Sequence, residues 1–293
     1  MSVAIIINPI SGGARPGTAE RRAQVAIDAV ERHGDRPEVF ITERPGHARD
    51  LARSAAERGM RLVLAWGGDG TINEVASALV FGDVPLGIVP AGSGNGLARE
   101  LGVNWRPERA IASALAAEPR LVDVGEVAGR YFVNLAGIGF DAEVAAQFNR
   151  PGNTSRGLRA YAWLTARSFL CYRGREYTVS ADQQRLRTRA LMIVIANGTE
   201  FGNRILIARG ARVDDGALDL VVVEDRSLVG TVCRLPWLVA RQIHRVPQWS
   251  TRPARRVTIE CDEPMTFHVD GEPVAGGTRL DARIHPGAIR VCV

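Results

Sequence analysis

Residues 62–79, LVLAWGGDGTINEVASAL, set a carboxylate inside a glycine turn between a short apolar run and a helical pattern. Gly67, Gly68 and Gly70 let the backbone bend sharply and approach a ligand closely. The first N–H groups of the following helix, opened by Thr71, Asn73 and Glu74, then point at whatever sits there, an environment suited to phosphate. Asp69 stands out in this setting. A carboxylate in a phosphate cradle is repelled unless a divalent cation lies between the two, or unless it turns away to cap the helix. Both roles are open on these residues alone. Two further glycine turns, NPISGG at 8–13 and AGSGNG at 91–96, also follow apolar runs, and three such turns converging at one sheet edge read as a nucleotide pocket. A dinucleotide fingerprint fits poorly, because its G-x-G-x-x-G belongs after the first strand, where this chain has NPISGG.

In the second half of the chain, Asp214-Asp215-Gly216 and Asp270-Gly271-Glu272 each join strand-like runs. Asp-Gly is the commonest two-residue hairpin signal, so each reads as a turn as well as a site. As a site, the first sets a carboxylate and neighbouring backbone carbonyls where a hard cation binds. The second sets two carboxylates close enough for one to take a raised pKa and act as a general base. The histidines, at 33, 47, 244, 268 and 285, show no metal-ligand spacing. His47 follows a glycine at an expected helix start and reads as a capping or packing residue.

These turns need elements behind them. Apolar runs at 3–8, 38–42, 62–66 and 86–89 read as strands, and helical spacing recurs at 18–33, at 46–58, through Ile72, Val75, Ala76 and Leu79, and at 109–117. The alternation predicts a doubly wound parallel α/β domain over 1–125, with its ligand beyond the carboxyl ends of the strands. Strand-like segments then follow at 121–127, 131–136, 176–180, 190–196, 218–223, 256–261, 265–269 and 288–293. Their spacing predicts an antiparallel β-sandwich domain over 126–293, with the last strand free to return to the first domain. Helical insertions are expected at 141–173 and 227–244, and the two domains are expected to pack closely around a cleft.

Composition narrows the chemistry. The chain has 293 residues, is 46% hydrophobic and carries a net charge of +5, with every basic residue an Arg. Without Lys there is no Walker P-loop and no Schiff base, so nucleotide binding must rest on backbone N–H groups, Arg and metal. The four cysteines lack C-x-x-C spacing, which indicates neither zinc nor a disulfide framework. No apolar run is long enough to span a membrane and the start of the sequence lacks signal-peptide features, so a cytoplasmic location is the expectation. Leu158, Tyr161, Trp163, Leu164 and Phe169 accompany Arg156, Arg159, Arg167 and Arg173, and a similar mixture surrounds Trp237. Such stretches read either as packing helices or as basic amphipathic segments that touch the inner membrane surface peripherally.

Taken in order, the motifs resemble the diacylglycerol-kinase catalytic family of lipid kinases over nearly the whole chain. That family includes bacterial diacylglycerol kinases and YegS-like lipid kinases, with sphingosine and ceramide kinases as relatives. The carriers are NPISGG, T-x-x-x-GHA at 42–48, GGDGTINEV at 67–75, PAGSGNGLAREL, NLAGIGFDAEV at 134–144, DDGALDL at 214–220 and VDGEP at 269–273. The resemblance implies ATP bound through Asn8, Thr42, Gly68 to Glu74 and Ser93, and an acidic network of Asp69 with Asp123 that organises catalytic Mg2+. It implies a structural magnesium site at the DDG turn, with the Asp215 side chain and the backbone carbonyls of Arg212 and Ala217 as ligands. Glu272, with Asp270 beside it, would deprotonate a lipid alcohol presented at a membrane surface. Gly96 stands where bacterial diacylglycerol kinases usually carry Asp, and GSGNGLA is closer to the sphingosine- and ceramide-kinase version. The expected activity is therefore transfer of the ATP γ-phosphate to a diacylglycerol-like or sphingoid-like hydroxyl. The alternatives are an NAD kinase-like phosphotransferase and a catalytically silent nucleotide- or lipid-binding regulator. Nucleic acid is not an expected partner, and a homodimer is allowed.

Overall fold

The structure, a computed structural model, describes residues 1–13, 17–148, 164–165, 167–168, 172–200, 206–225, 246 and 249–293. The chain forms two compact units, Met1–Val124 with Pro286–Val293, and Gly125–His285.

In the first unit strands and helices alternate: β1 (Ser2–Ile7), α1 (Thr18–Arg32), β2 (Arg36–Ile41), α2 (His47–Glu57), β3 (Leu62–Gly67), α3 (Asp69–Leu79), β4 (Leu86–Pro90), α4 (Gly96–Glu100) and α5 (Pro107–Ala116). β2, β1, β3 and β4 lie side by side and parallel, and Val291 and Cys292 add a further parallel strand beside β4. The continuous apolar runs of β1 and β3 are buried on both faces, as a parallel sheet covered by helices requires. On one face Val3, Ile5, Ile7, Leu62 and Leu64 meet Ala26 and Val30 of α1 and Ile111 and Leu115 of α5. Small residues let α2 come close to the sheet, since its buried positions are Ala48, Ala52 and Ala55, and it packs on α3. Each fully buried Ile or Leu contributes about 1.5–3 kcal/mol of transfer free energy, which makes this sheet a stiff base for the turns at its end.

The second unit follows β5 (Arg120–Val127), whose end pairs with β6 (Arg130–Phe132). Its other elements are β7 (Leu135–Gly139), α6 (Phe140–Phe148), β8 (Arg175–Ala181), β9 (Gln184–Ala196), β10 (Leu218–Glu224), β11 (Trp249–Ala254), β12 (Arg256–Glu260), β13 (Thr266–Val269), β14 (Glu272–Ala275) and β15 (Arg279–Cys292). Pairing is antiparallel throughout: β14-β13-β7-β9-β8-β12-β15, with β10 between β9 and β11. β9 is shared. Its first half pairs with β8, and its second half is flanked by β7 and β10 and buried on both faces. The inward residues of β8, β9, β10, β12 and β13, among them Tyr177, Val179, Ile193, Ile195, Leu220, Ile259 and Phe267, make one core. The alternation of buried Val257 and Ile259 with Arg256, Thr258 and Glu260 is that of a sandwich strand. The unit is the antiparallel β-sandwich that the segment spacing indicated.

The structure departs from the sequence expectations at four places. The segment 131–136 is two strands, because Val133 and Asn134 donate their N–H groups to the Asp270 carboxylate rather than to a ladder. The segment 288–293 is the end of the 14-residue strand β15. β11 and β14 were not anticipated. Of the expected helical insertion at 141–173 the described parts are α6, residues 164–165 and 167–168, which are helical, and residues 172–173, and the insertion at 227–244 lies outside the described residues. Among the described residues no helix is long and apolar enough to cross a membrane.

Candidate active site

The three glycine turns of the first unit touch one another. Asn8, after β1, donates its N–H to Trp66 O at 2.9 Å and its Nδ2–H to Thr71 Oγ1 at 2.9 Å. A Cβ on Gly12 would lie 2.3 Å from Ala91 O, and one on Gly92 would lie 2.6 Å from Gly68 Cα. The NPISGG, GGDGT and AGSGNG backbones therefore approach as closely as only glycine allows. Arg22 of α1 braces the first turn, donating to Asn8 O at 2.8 Å and to Ser11 Oγ and O at 2.9 Å each, with its guanidinium 5.9 Å from the Trp66 ring. Burial lowers its pKa from the ordinary arginine value.

Asp69 does not cap its own helix. Gly68 occupies the N-cap of α3 in extended conformation, without a side-chain cap. The Asp69 carboxylate reaches the next turn instead, where Oδ2 accepts Asn95 N–H at 2.8 Å and Oδ1 accepts Gly96 N–H at 2.6 Å. Burial pushes this carboxyl up, and the Gly96 and Asn95 amides offset only part of that push. Asn95, 1% exposed and left-handed at φ 53°, accepts Gly92 N–H on its Oδ1 at 2.9 Å. Asn95 and Arg22 were not among the residues expected at the site. An Asn before Gly in a glycine turn is the signal for the first.

The other residues expected at the nucleotide divide in two groups. Thr71 lies against Gly67, whose added Cβ would be 2.4 Å from Thr71 Cβ, and Ser93 is exposed on the third turn. Thr42, buried at the end of β2, donates its N–H to Ile7 O at 2.9 Å. Glu74 and Asn73 face the body of the protein. Glu74 caps α2, accepting Gly46 N–H at 2.8 Å and Ala48 N–H at 3.0 Å, while Asn73 is buried and its Oδ1 accepts from Ser77 Oγ at 3.4 Å. His47, at the start of α2, accepts Glu43 N–H on Nδ1 at 3.2 Å, a local bond that bridges two backbone positions. Asp123 of β5 is 3% exposed and its Oδ1 accepts Gly287 N–H at 2.6 Å. Among the described residues no group of three or more His, Cys, Asp and Glu side chains could hold a metal ion.

In the second unit the two Asp-Gly turns differ. Asp214-Asp215-Gly216 is no hairpin, because β10, which follows it, pairs with β9 and β11. It is an Asx turn in which Asp215 Oδ1 accepts Ala217 N–H at 3.1 Å, and Arg212 Nε donates to Asp214 Oδ1 at 3.1 Å. The Asp214 hydrogen bond raises the Arg212 pKa; burial followed by the Asp215 charge raises that of Asp219. Asp270-Gly271, by contrast, is the two-residue connection of the β13–β14 hairpin, with φ 47° and 88°, as a type I′ turn demands. Asp270 is also anchored at long range. Its Oδ2 accepts Val133 N–H at 2.9 Å, and its Oδ1 accepts Asn134 and Leu135 N–H at 3.0 Å each. Glu272, opposite Val269 on β14, is exposed. The two carboxylates expected to tune each other thus do different things: Asp270 is committed to backbone amides, and Glu272 faces outward.

Residues 2–127 match the diacylglycerol kinase catalytic domain, and residues 134–293 match the YegS C-terminal NAD kinase beta sandwich-like domain. The chain is 31% identical to a probable lipid kinase YegS-like protein of Pseudomonas aeruginosa over 95% of its own length and 91% of that protein. The chain belongs to the diacylglycerol kinase catalytic family. Within this lipid kinase family it is also 30% identical to a diacylglycerol kinase of Bacillus subtilis, over 92% and 88% of the two chains. A putative diacylglycerol kinase from Bacillus anthracis shares the fold, with a TM-score of 0.81 at 22% identity over 99% of this chain and 94% of that one. Kinase chemistry is that of the family, and it implies use of ATP.

Proposed function

We propose that this kinase transfers the γ-phosphoryl group of ATP to the hydroxyl of a lipid alcohol, diacylglycerol-like or sphingoid-like, presented at a membrane surface. The observation that carries the proposal is the mutual contact of the three glycine turns, which sets their backbone N–H groups at one end of a parallel sheet in a chain without Lys. Phosphoryl transfer asks mainly for positioning and charge neutralisation, and such a cradle supplies both. Asn8, Thr42, Gly67, Gly68, Gly70, Thr71 and Ser93 would line the ATP side, while Glu74 and Asn73 support α2 and α3 from within.

The carboxylates fit a hard divalent cation by their chemistry, since every donor is oxygen. Asp69 and Asp123 would hold Mg2+ near the phosphates, and the Asp215 carboxylate with the Arg212 and Ala217 carbonyls would hold a structural one. The ion at Asp69 and Asp123 would supply charge neutralisation of the phosphate oxygens. Glu272 accepts the proton of the lipid hydroxyl as its oxygen attacks phosphorus and the bond to ADP breaks. Asp270 builds the turn that carries it.

The test is incubation with labelled ATP, Mg2+ and vesicles containing diacylglycerol, sphingosine or ceramide, beside soluble NAD. Label in a lipid supports the reading. Label in NAD transfers the activity to a soluble ribose hydroxyl, and ATP binding without turnover makes the chain a silent regulator.

A further inference from the structure

One buried imidazole touches the turn that carries the proposed base. His268 lies on β13 and is 1% exposed; Asp141, at the start of α6, is 5% exposed. His268 Nδ1 accepts Gly271 N–H at 3.3 Å, and its Nε2 stands 3.2 Å from Asp141 Oδ2. These contacts assign the tautomer. A ring nitrogen that accepts from an amide carries no proton, so the ring hydrogen sits on Nε2 and is donated to Asp141. Asp141 is held in turn, since its Oδ1 accepts Ala142 N–H at 2.9 Å. The room for this pair comes from Gly137 of β7, where a Cβ would lie 1.8 Å from Asp141 Oδ2 and 2.5 Å from His268 Nε2.

A buried carboxylate and imidazole are a costly way to fill a core, because both must be desolvated and fully hydrogen-bonded, while apolar side chains fill the same space without that penalty. What the pair has that apolar residues lack is direction. It holds the Gly271 amide, while the carboxylate of the preceding turn residue, Asp270, is held by the Val133, Asn134 and Leu135 amides. Glu272 is the next residue in the chain. We infer that Asp141 and His268 are positioning residues for phosphoryl transfer: through the Gly271 N–H they set the turn that aims Glu272. This rests on the reading of Glu272 as the base.

The experiment compares His268→Gln, His268→Asn and Asp141→Asn, alone and in a Glu272→Gln background, with kcat, KM for ATP and melting temperature measured for each. The Gln side chain reaches Asp141 but offers nothing to Gly271, whereas the Asn oxygen takes the place of Nδ1. His268→Gln is expected to lower kcat roughly 10²-fold with KM for ATP unchanged, the usual effect of a misplaced reacting group. His268→Asn is expected to recover most of that loss, and Asp141→Asn to lower kcat more mildly. In the Glu272→Gln background none of these changes should lower kcat further, because the group they aim is already gone. Equal losses in both backgrounds, or losses that follow melting temperature alone, overturn the inference and leave the base reading standing. Should Glu272→Gln by itself retain full kcat, the base reading fails first and the inference with it. If His268→Gln does not fold, the Asp141→Asn pair of measurements decides the same question.

Discussion

The Asp69 carboxylate accepts the backbone N–H of Gly96 at 2.6 Å, tying the turn after β3 to the start of α4 after β4. The residue that stands where diacylglycerol kinases usually carry an aspartate thus serves here as a donor to the aspartate before it. Replacing Asp69 by Ala removes both the Asn95 and Gly96 contacts and a buried charge, so kcat is expected to fall about 10²-fold or more. Stability should fall by about 1–3 kcal/mol, the cost of amides left without their acceptor. A folded variant with near wild-type kcat makes Asp69 a purely structural link between the two turns.

A second prediction concerns acid stability. Asp35, between α1 and β2, has a side chain only 7% exposed and accepts from the N-terminal ammonium at 2.9 Å and from His33 at 3.0 Å, with Arg61 also paired to it. Burial alone raises its pKa, but the ammonium, His33 and Arg61 together outweigh that, so its folded value lies below the ordinary one. A depressed carboxyl contributes stability above its unfolded pKa of about 3.9 and loses it as pH falls through the folded value. Asp35→Asn should therefore melt several degrees below wild type at pH 7, with the gap closing as acid protonates the wild-type carboxylate. A gap that persists unchanged in acid assigns the loss to packing.

For Asp215 the expected effect is on folding. A cation that binds only the native state adds RT ln(1 + [L]/Kd) to its stability, so magnesium should raise the wild-type melting temperature and raise that of Asp215→Ala less. Identical responses reduce the segment to its Asx turn.

Most of residues 156–173, and the whole stretch around Trp237, read from sequence as basic and amphipathic, lie outside the described residues. The proposal that they touch a membrane surface is tested by vesicle flotation. Binding should require anionic lipid and weaken with salt, whereas binding indifferent to salt contradicts it.

What was legible in the sequence is what short range decides. The three glycine turns stood out because glycines between a buried run and a helical pattern mark a sharp turn or close approach, and β1 and β3 followed from their unbroken apolar runs. Elements missed were those set by distant partners. Nothing near 131–136 signals that Val133 and Asn134 turn their amides to Asp270, more than 130 positions away. β14 is an edge strand of four residues containing Pro273, a weak pattern that only its pairing with β13 makes a strand. The same reason separates the Asp-Gly turns, since a hairpin needs a partner strand that sequence does not name.

The division of labour within the β13–β14 turn is the central claim, and kcat at saturating ATP and lipid, measured beside the ATP dissociation constant, tests it most directly. Glu272→Gln keeps shape and hydrogen-bonding reach but removes basicity. It should lower kcat roughly 10²–10⁴-fold with ATP affinity little changed. Asp270→Asn should instead lose stability, because an amide cannot accept from all three of Val133, Asn134 and Leu135, and should retain more of its kcat when folded. A Glu272→Gln variant that keeps wild-type kcat while folded Asp270→Asn loses it would contradict the account and make Asp270 the base.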